Sequence, residues 1–316
     1  MWWDKPNANK VPAEEVKPLP FMKIRWIGFL VTIAMIVVTT VSLATQGLNM
    51  GLDFTGGVQI EATSTKPFDV ETVRTEVRNA GFEESNVTTS EGGGTIIIRV
   101  PLEAGSSVEQ IGKKLEAALG AGAVVRKTDN VSGKVSDELF VKGVLACLLA
   151  VVGIGAYVWL RFEVKFGTGA FLTTFHDVYA VVGLWSVTQM TFDLTIVAGV
   201  LTVAGYSIND TVVVYDRIRE MLKKYKKLTV SQVIDISITA TLSRTLMTSM
   251  TTMLAALAMI FLGGSVLAGF GISIAFGIII GTYSSIFVAA PLLIHLPGRI
   301  PGAKYRGDGA SAEARA

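Results

Sequence analysis

Asp210 and Arg244 stand out because each sits inside a long apolar run. Asp210 interrupts the otherwise uncharged stretch Leu194–Tyr215. After Arg244 no Asp, Glu, Lys or Arg recurs until Arg299. A bare charge at the bilayer centre costs about 2.5–3.5 kcal/mol on insertion scales. Each charge therefore needs a partner, and each is the other's obvious candidate. A carboxylate and a guanidinium on neighbouring membrane helices can serve as a proton relay. The pair points to part of an ion-driven membrane machine.

Polar residues gather around the pair. Tyr206 lies one turn before Asp210, and Asn209 adjoins it. Arg244, Thr248 and Thr252 share a helical stripe at i, i+4 and i+8. These groups could support ordered waters along a proton path, or simply bond across helices. His176-Asp177 lies inside another apolar run and carries two readings, a second polar relay point or a bond to a neighbouring helix. Asp193 reads as a solvated residue or helix cap. Asp216 and Asp235 border a basic block and are expected to pair with it.

The elements that position these residues are membrane spans. Hydrophobic residues make up 50% of the chain and charged ones 17%, with a mean hydropathy of +0.51, well above a soluble domain. Apolar runs predict six spans, near Trp26–Thr45, Val141–Leu160, Gly167–Met190, Phe192–Tyr215, Ala240–Leu262 and Val266–His295. Gly263-Gly264-Ser265 is the expected turn between the last two. Ser273, Gly277, Gly281, Ser285 and Ala289 form a small-residue stripe on span six, suited to close helix approach inside the chain or against a partner.

Lys and Arg cluster in the N-terminal tail, after spans two and four, and in the C-terminal tail. By the positive-inside rule both termini are cytoplasmic and residues 47–138 extracytoplasmic. The expected domains are a tail over 1–24, a first helix over 25–46, an extracytoplasmic domain over 47–138, five helices over 139–297 and a tail over 298–316. Residues 53–138 hold fourteen acids and nine bases, a net charge of −5. They contain no cysteine; the single cysteine, Cys147, falls in span two and reads as a packing residue.

Within that domain, Gly57–Thr63 reads as a strand and Asp69–Ala80 as a helix stopped by Gly81. Asn86–Ser90 and Thr95–Val100 flank a hairpin signal at Glu91–Gly94. Ser106–Leu119 reads as a helix stopped by Gly120, and Ala123–Lys127 as a last strand. The order βαββαβ is that of a ferredoxin-like split βαβ unit. The predicted fold class is thus a polytopic α-helical membrane protein of six transmembrane helices, with a ferredoxin-like α+β domain between helices 1 and 2. Gly56-Gly57 precede the first strand and read either as a tight turn or as a hinge.

Three stretches, Gly51–Gly57 (GLDFTGG), Gly205–Glu220 (GYSINDTVVVYDRIRE) and Ser243–Thr252 (SRTLMTSMTT), give the chain a resemblance to the SecD/SecF family of bacterial protein-export proteins, related to the RND transporter superfamily. The likeness runs from about Lys23 to Pro297, and the short extracytoplasmic region favours the SecF branch. The resemblance implies six spans with one ferredoxin-like domain. It also implies a proton-motive-force-driven late step of Sec-dependent translocation in the cytoplasmic membrane, with Asp210 and Arg244 on the proton path. The implied partners are SecD, the SecYEG channel, YajC, the translocating preprotein and the lipid bilayer, with no nucleic acid.

Other readings stay open. They are an RND-type lipid or small-molecule transporter half, a non-conducting scaffold for SecD, and an intramembrane serine protease built on Ser207 of Gly205-Tyr206-Ser207 with His295. No zinc-ligand spacing, phosphate loop or nucleotide motif is present. The expectation is a protein that is not an enzyme and takes no metal or cofactor, with protons as the coupling ion.

Overall fold

The computed structural model describes residues 18–64, 68–82, 85–89, 94–101, 108–119, 123–131, 133–226 and 228–297. Residues 1–17 and 298–316 of the tails, the hairpin residues 91–93 and Gly120 lie outside them. The chain divides into two compact units. One holds residues up to Leu48, Cys147–Met190 and those from Thr195 on; the other holds Asn49–Ala146 with Thr191–Leu194.

The first unit is helical, and one helix, Gly133–Arg161, begins in the second unit and joins the first from Cys147 on. Among the described residues six helices are long and apolar enough to cross a membrane. They are α1 (Arg25–Thr45, entered through a 3-10 turn at Phe21–Ile24), α5 (Gly133–Arg161), α6 (Val164–Thr188), α7 (Leu194–Lys224), α8 (Val230–Leu262) and a last span. That last span joins α9 (Gly264–Ser284), a π-helical turn (Ser285–Ala289) and α10 (Ala290–His295). At 1.5 Å per residue even the 21 residues of α1 reach about 32 Å, enough for a hydrocarbon core of about 30 Å.

Two helices begin well before the apolar runs do. α8 starts at Val230 rather than Ala240, because Thr229 and Gln232 form a capping box. Its first turns bury Val233 and Ile234 while Asp235 accepts the Met22 backbone N–H at 2.9 Å. Asp235 therefore caps the 3-10 turn instead of pairing with the basic block. Arg217 of that block bonds Glu220, and Arg219 approaches Glu163. α5 starts at Gly133 rather than Val141, since its polar first turns add to the helix without adding to the apolar window.

α1 packs on α6, and α8 on α9. At one end of the bundle Phe166, Tyr215, Ile218, Leu222 and Ile234 form a closed apolar cluster. The small-residue stripe of the last span lies against α7. A Cβ on Gly277 would come within 2.2 Å of Val203 Cγ2, so the stripe serves contact inside the chain.

The second unit is a sheet covered by helices. Its elements run α2 (Leu52–Thr55), β1 (Gly57–Ser64), α3 (Val70–Asn79), β2 (Asn86–Thr89), β3 (Thr95–Val100), α4 (Val108–Leu119) and β4 (Ala123–Val131). All pairings are antiparallel, in the order β2-β3-β1-β4. Alternate residues Val58, Ile60 and Ala62 of β1 and Ile96, Ile98 and Val100 of β3 face Val73 and Val77 of α3 and Ile111 and Leu115 of α4. Period two on the strands thus meets period 3.6 on the helices. Asp69 caps α3 by accepting from Glu71 N–H, and Gly81 takes a left-handed φ of +99° just past it. β4 runs four residues past its expected end because β1 pairs with it along its whole length.

Gly51–Gly57 form a tight turn within this unit. Gly51 N–H donates to Phe192 O at 2.7 Å, and the Asp53 carboxylate accepts the Leu194 N–H at 3.0 Å. Gly56 and Gly57 have φ of +67° and +118°, and a Cβ on Gly57 would lie 2.2 Å from the Val100 carbonyl oxygen. Gly57→Ala is therefore expected to lower the melting temperature of the purified protein, with roughly 1–3 kcal/mol lost to backbone strain before any clash. Gly112→Ala, in α4 with open space around its Cβ position, should raise it, with up to about 1 kcal/mol of added stability. Thermal unfolding of the two variants beside the parent checks the contrast.

Candidate functional site

Among the described residues two carboxylates, not one, are buried among the helices. Asp177 on α6 is fully buried and Asp210 on α7 is 8% exposed. An ionised group taken out of water must be hydrogen-bonded or paired, and hydroxyls from neighbouring helices meet that need. Asp210 accepts from Thr245 Oγ1 of α8 at 2.7 Å and from Ser285 Oγ at 2.6 Å. Asp177 accepts from Ser207 Oγ of α7, from Ser284 Oγ of α9 at 2.7 Å, and meets His176 Nδ1 at 2.9 Å.

The last span makes this double supply possible. Ser284 and Ser285 are adjacent, fully buried, and serve different carboxylates. They sit where the α-helix widens into the π turn Ser285–Ala289. A π turn breaks the regular backbone ladder, and the Tyr215 hydroxyl takes up the Ala289 carbonyl at 2.9 Å. A third polar group lies beside the Asp210 cluster. Tyr206 OH donates to Ser249 Oγ at 3.0 Å, and Ser249 Oγ lies 2.7 Å from Thr282 Oγ1.

The expected Asp210–Arg244 pair is not formed. Among the described residues Arg244 makes no ion pair, and its side chain is exposed on the outer side of α8. The reason is rotation: successive residues of a helix stand about 100° apart. The inward stripe of α8 is Thr245 and Ser249, which turns Arg244 away. Thr248 and Thr252 follow Arg244 outward and bond carbonyls of their own helix. Asn209 is likewise exposed. Of the expected supporting groups, only Tyr206, His176 and Asp177 are drawn into the buried clusters.

Thr245, Ser249, Thr282 and Ser284 carry no sequence expectation of their own, Ser207 carries only that of a protease nucleophile, and Ser285 only that of a small packing residue. A usable signal existed. Ser207 lies three residues before Asp210, and Ser284-Ser285 interrupt an apolar span. The protease arrangement does not form. The Ser207 hydroxyl is spent on Asp177, whereas a hydrolase places histidine between serine and carboxylate. His295 packs against Trp26 and Phe29 instead.

Chemically, a carboxylate held by hydroxyls differs from one clamped by arginine. A hydroxyl both donates and accepts, so it can hydrogen-bond the acid in either protonation state with little movement. A guanidinium only donates and favours the ionised form.

The same chain matches known sequences over most of its length. A family profile described as "Protein export membrane protein SecD/SecF, C-terminal" matches residues 110–299, and one described as "SecD/SecF GG Motif" matches residues 41–67. A Pseudomonas aeruginosa protein named "Protein translocase subunit SecF" is 41% identical, over 89% of this chain and 92% of that protein. A Brucella abortus "Protein translocase subunit SecDF" is 34% identical over 99% of this chain but 42% of its own length. A crystal structure of SecDF from Thermus thermophilus, described as a translocon-associated membrane protein, superposes with a TM-score of 0.80 at 34% identity, covering 90% of this chain and 39% of that one.

The inward stripe of α8 can be checked without any assay of activity. With Cys147 replaced by Ala, Ser249→Cys together with Thr282→Cys should oxidise to an intrachain disulfide. Thr248→Cys with Thr282→Cys should not, and mobility on non-reducing gels distinguishes them.

Proposed function

This chain belongs to the SecD/SecF family of protein-export membrane proteins, and we propose that it couples proton movement through Asp210 to a late step of Sec-dependent translocation. The observation that carries this reading is a buried carboxylate held by Thr245 and Ser285 hydroxyls and, among the described residues, by no cation. Such a group can bind and release a proton within one packing arrangement. Water access and the position of the Ser285 hydroxyl set which hydrogen bonds are offered to it in each state. The membrane potential supplies about 2.3 kcal/mol per elementary charge per 100 mV, comparable with a helix rearrangement.

The Brucella abortus relative carries a region like this chain within a longer SecDF protein, which supports association with a SecD partner. We place SecYEG, YajC and the preprotein around that pair. The site of action is the bacterial cytoplasmic membrane, with both termini inside and residues 47–138 outside, as the distribution of Lys and Arg suggests. Arg244, turned outward at membrane depth, is available to a carboxylate of the SecD half. It thereby belongs to the relay without touching Asp210. The small domain reads as ferredoxin-like, supported by its βαββαβ order and its antiparallel strand order. We propose that it moves during export, grounded at Gly56-Gly57. No hydrolytic chemistry, metal or cofactor enters this reading.

Asp210→Asn keeps the size and much of the hydrogen bonding but cannot cycle a proton. It should insert and co-purify with the SecD partner, yet export of a model preprotein into membrane vesicles should fall to the level seen with an uncoupler. Arg244→Lys keeps the charge without the planar fork and should be partly to severely defective. If Asp210→Asn assembles and its export stays as uncoupler-sensitive as the parent, the carboxylate is structural and the chain is a scaffold.

A further inference from the structure

We propose that His176 and Asp177 form a second proton-holding station, coupled to Asp210 through Ser207 and the adjacent pair Ser284-Ser285. The inference rests on the proton-coupling reading of Asp210. It starts from a nitrogen. His176 is 6% exposed and places Nδ1 at 2.9 Å from Asp177 Oδ1, while its Nε2 is buried with no hydrogen-bond partner among the described residues. A neutral imidazole that donates from Nδ1 to a carboxylate leaves Nε2 as a bare acceptor. Bonding between helices needs Asp177 alone, which already joins α6, α7 and α9 through Ser207 and Ser284. It gives no account of a buried imidazole with one nitrogen idle.

The chemistry balances with one proton and nothing else. A proton from water forms the Nε2–H bond, the imidazole becomes imidazolium, and the His176–Asp177 pair passes from a charge of minus one to neutral. Release to water on the other side restores it. The two stations sense each other because their supports are shared. Ser207 precedes Asp210 by three residues on α7, and Ser284 and Ser285 are neighbours at the π turn. Rotating either end of that turn to serve one carboxylate disturbs the donor to the other.

Few other ionisable groups face the station. α6 itself carries Lys165 near its start and Tyr179 bonded to Thr40. α7 adds Asp210, Tyr206 and Tyr215, whose hydroxyls are bonded elsewhere. α9 adds Tyr283, which feels the Asp177 charge and donates to the Gly28 carbonyl. α1 has none after Arg25, α10 has only His295, and Arg244 of α8 is turned outward. The ion pair that Asp177 makes among the described residues is with His176.

His176→Asn is the discriminating variant, since its amide can replace the Nδ1–H donor to Asp177 but supplies nothing at Nε2. In vesicles containing the full chain and its SecD partner, it should assemble and lose the uncoupler-sensitive part of export. Normal uncoupler-sensitive export from His176→Asn, beside a defective Asp210→Asn, would overturn the second station and leave the Asp210 reading standing. Normal export from both would remove both. A readout independent of assembly comes from the histidine count, which is two. In full-length His295→Gln protein, purified without a histidine tag, nitrogen-15 NMR of labelled histidine reports His176 alone. Exchange between an Nδ1–H form and a doubly protonated form is expected as pH is varied over the range in which the protein stays folded. One unchanging protonation state across that range would overturn the proposal.

Discussion

A carboxylate cannot be left bare among apolar helices, and much of the membrane unit follows from that constraint. Asp177 and Asp210 draw hydroxyls from α7, α8 and the last span. Those donors reach only if the helices come close, which is why small residues line the last span where it meets α7. Gly277 against Val203 is the tightest such contact on that stripe. The π turn adds what a regular helix withholds, two neighbouring serines that serve different acids. Tyr215 then secures the turn from the opposite side through the Ala289 carbonyl.

The apolar character of the long helices and the order of the small domain's elements were legible in the sequence because they are written in periods. Apolar runs of about twenty residues, and alternation on β1 and β3, carry their meaning locally. The partner of Asp210 was not legible for a matching reason. Which stripe of α8 faces inward depends on packing with α9, and one residue of difference turns a side chain by about 100°. Arg244 and Thr245 are adjacent in sequence, yet the packing selects the hydroxyl and sends the charge outward. Composition favoured the charge because opposite charges attract. It could not weigh hydroxyl donors whose value appears only when three helices converge.

The boundaries of α5 and α8 teach a related lesson. Hydropathy marks where a helix enters apolar surroundings, whereas caps and polar turns decide where the helix begins. Thr229 and Gln232 start α8 outside its apolar window, and Asp235 in the next turns is occupied with the backbone of Met22. Polar residues near a span can therefore be structural even when a basic block lies beside them.

The small domain holds its sheet and helices together with an apolar core and has no cysteine, the chain's single thiol being Cys147 of α5. Its folding is thus independent of redox conditions. It needs no thiol oxidation to reach its shape and can keep that shape under reducing agents, and it has no thiol to exchange with those of another chain.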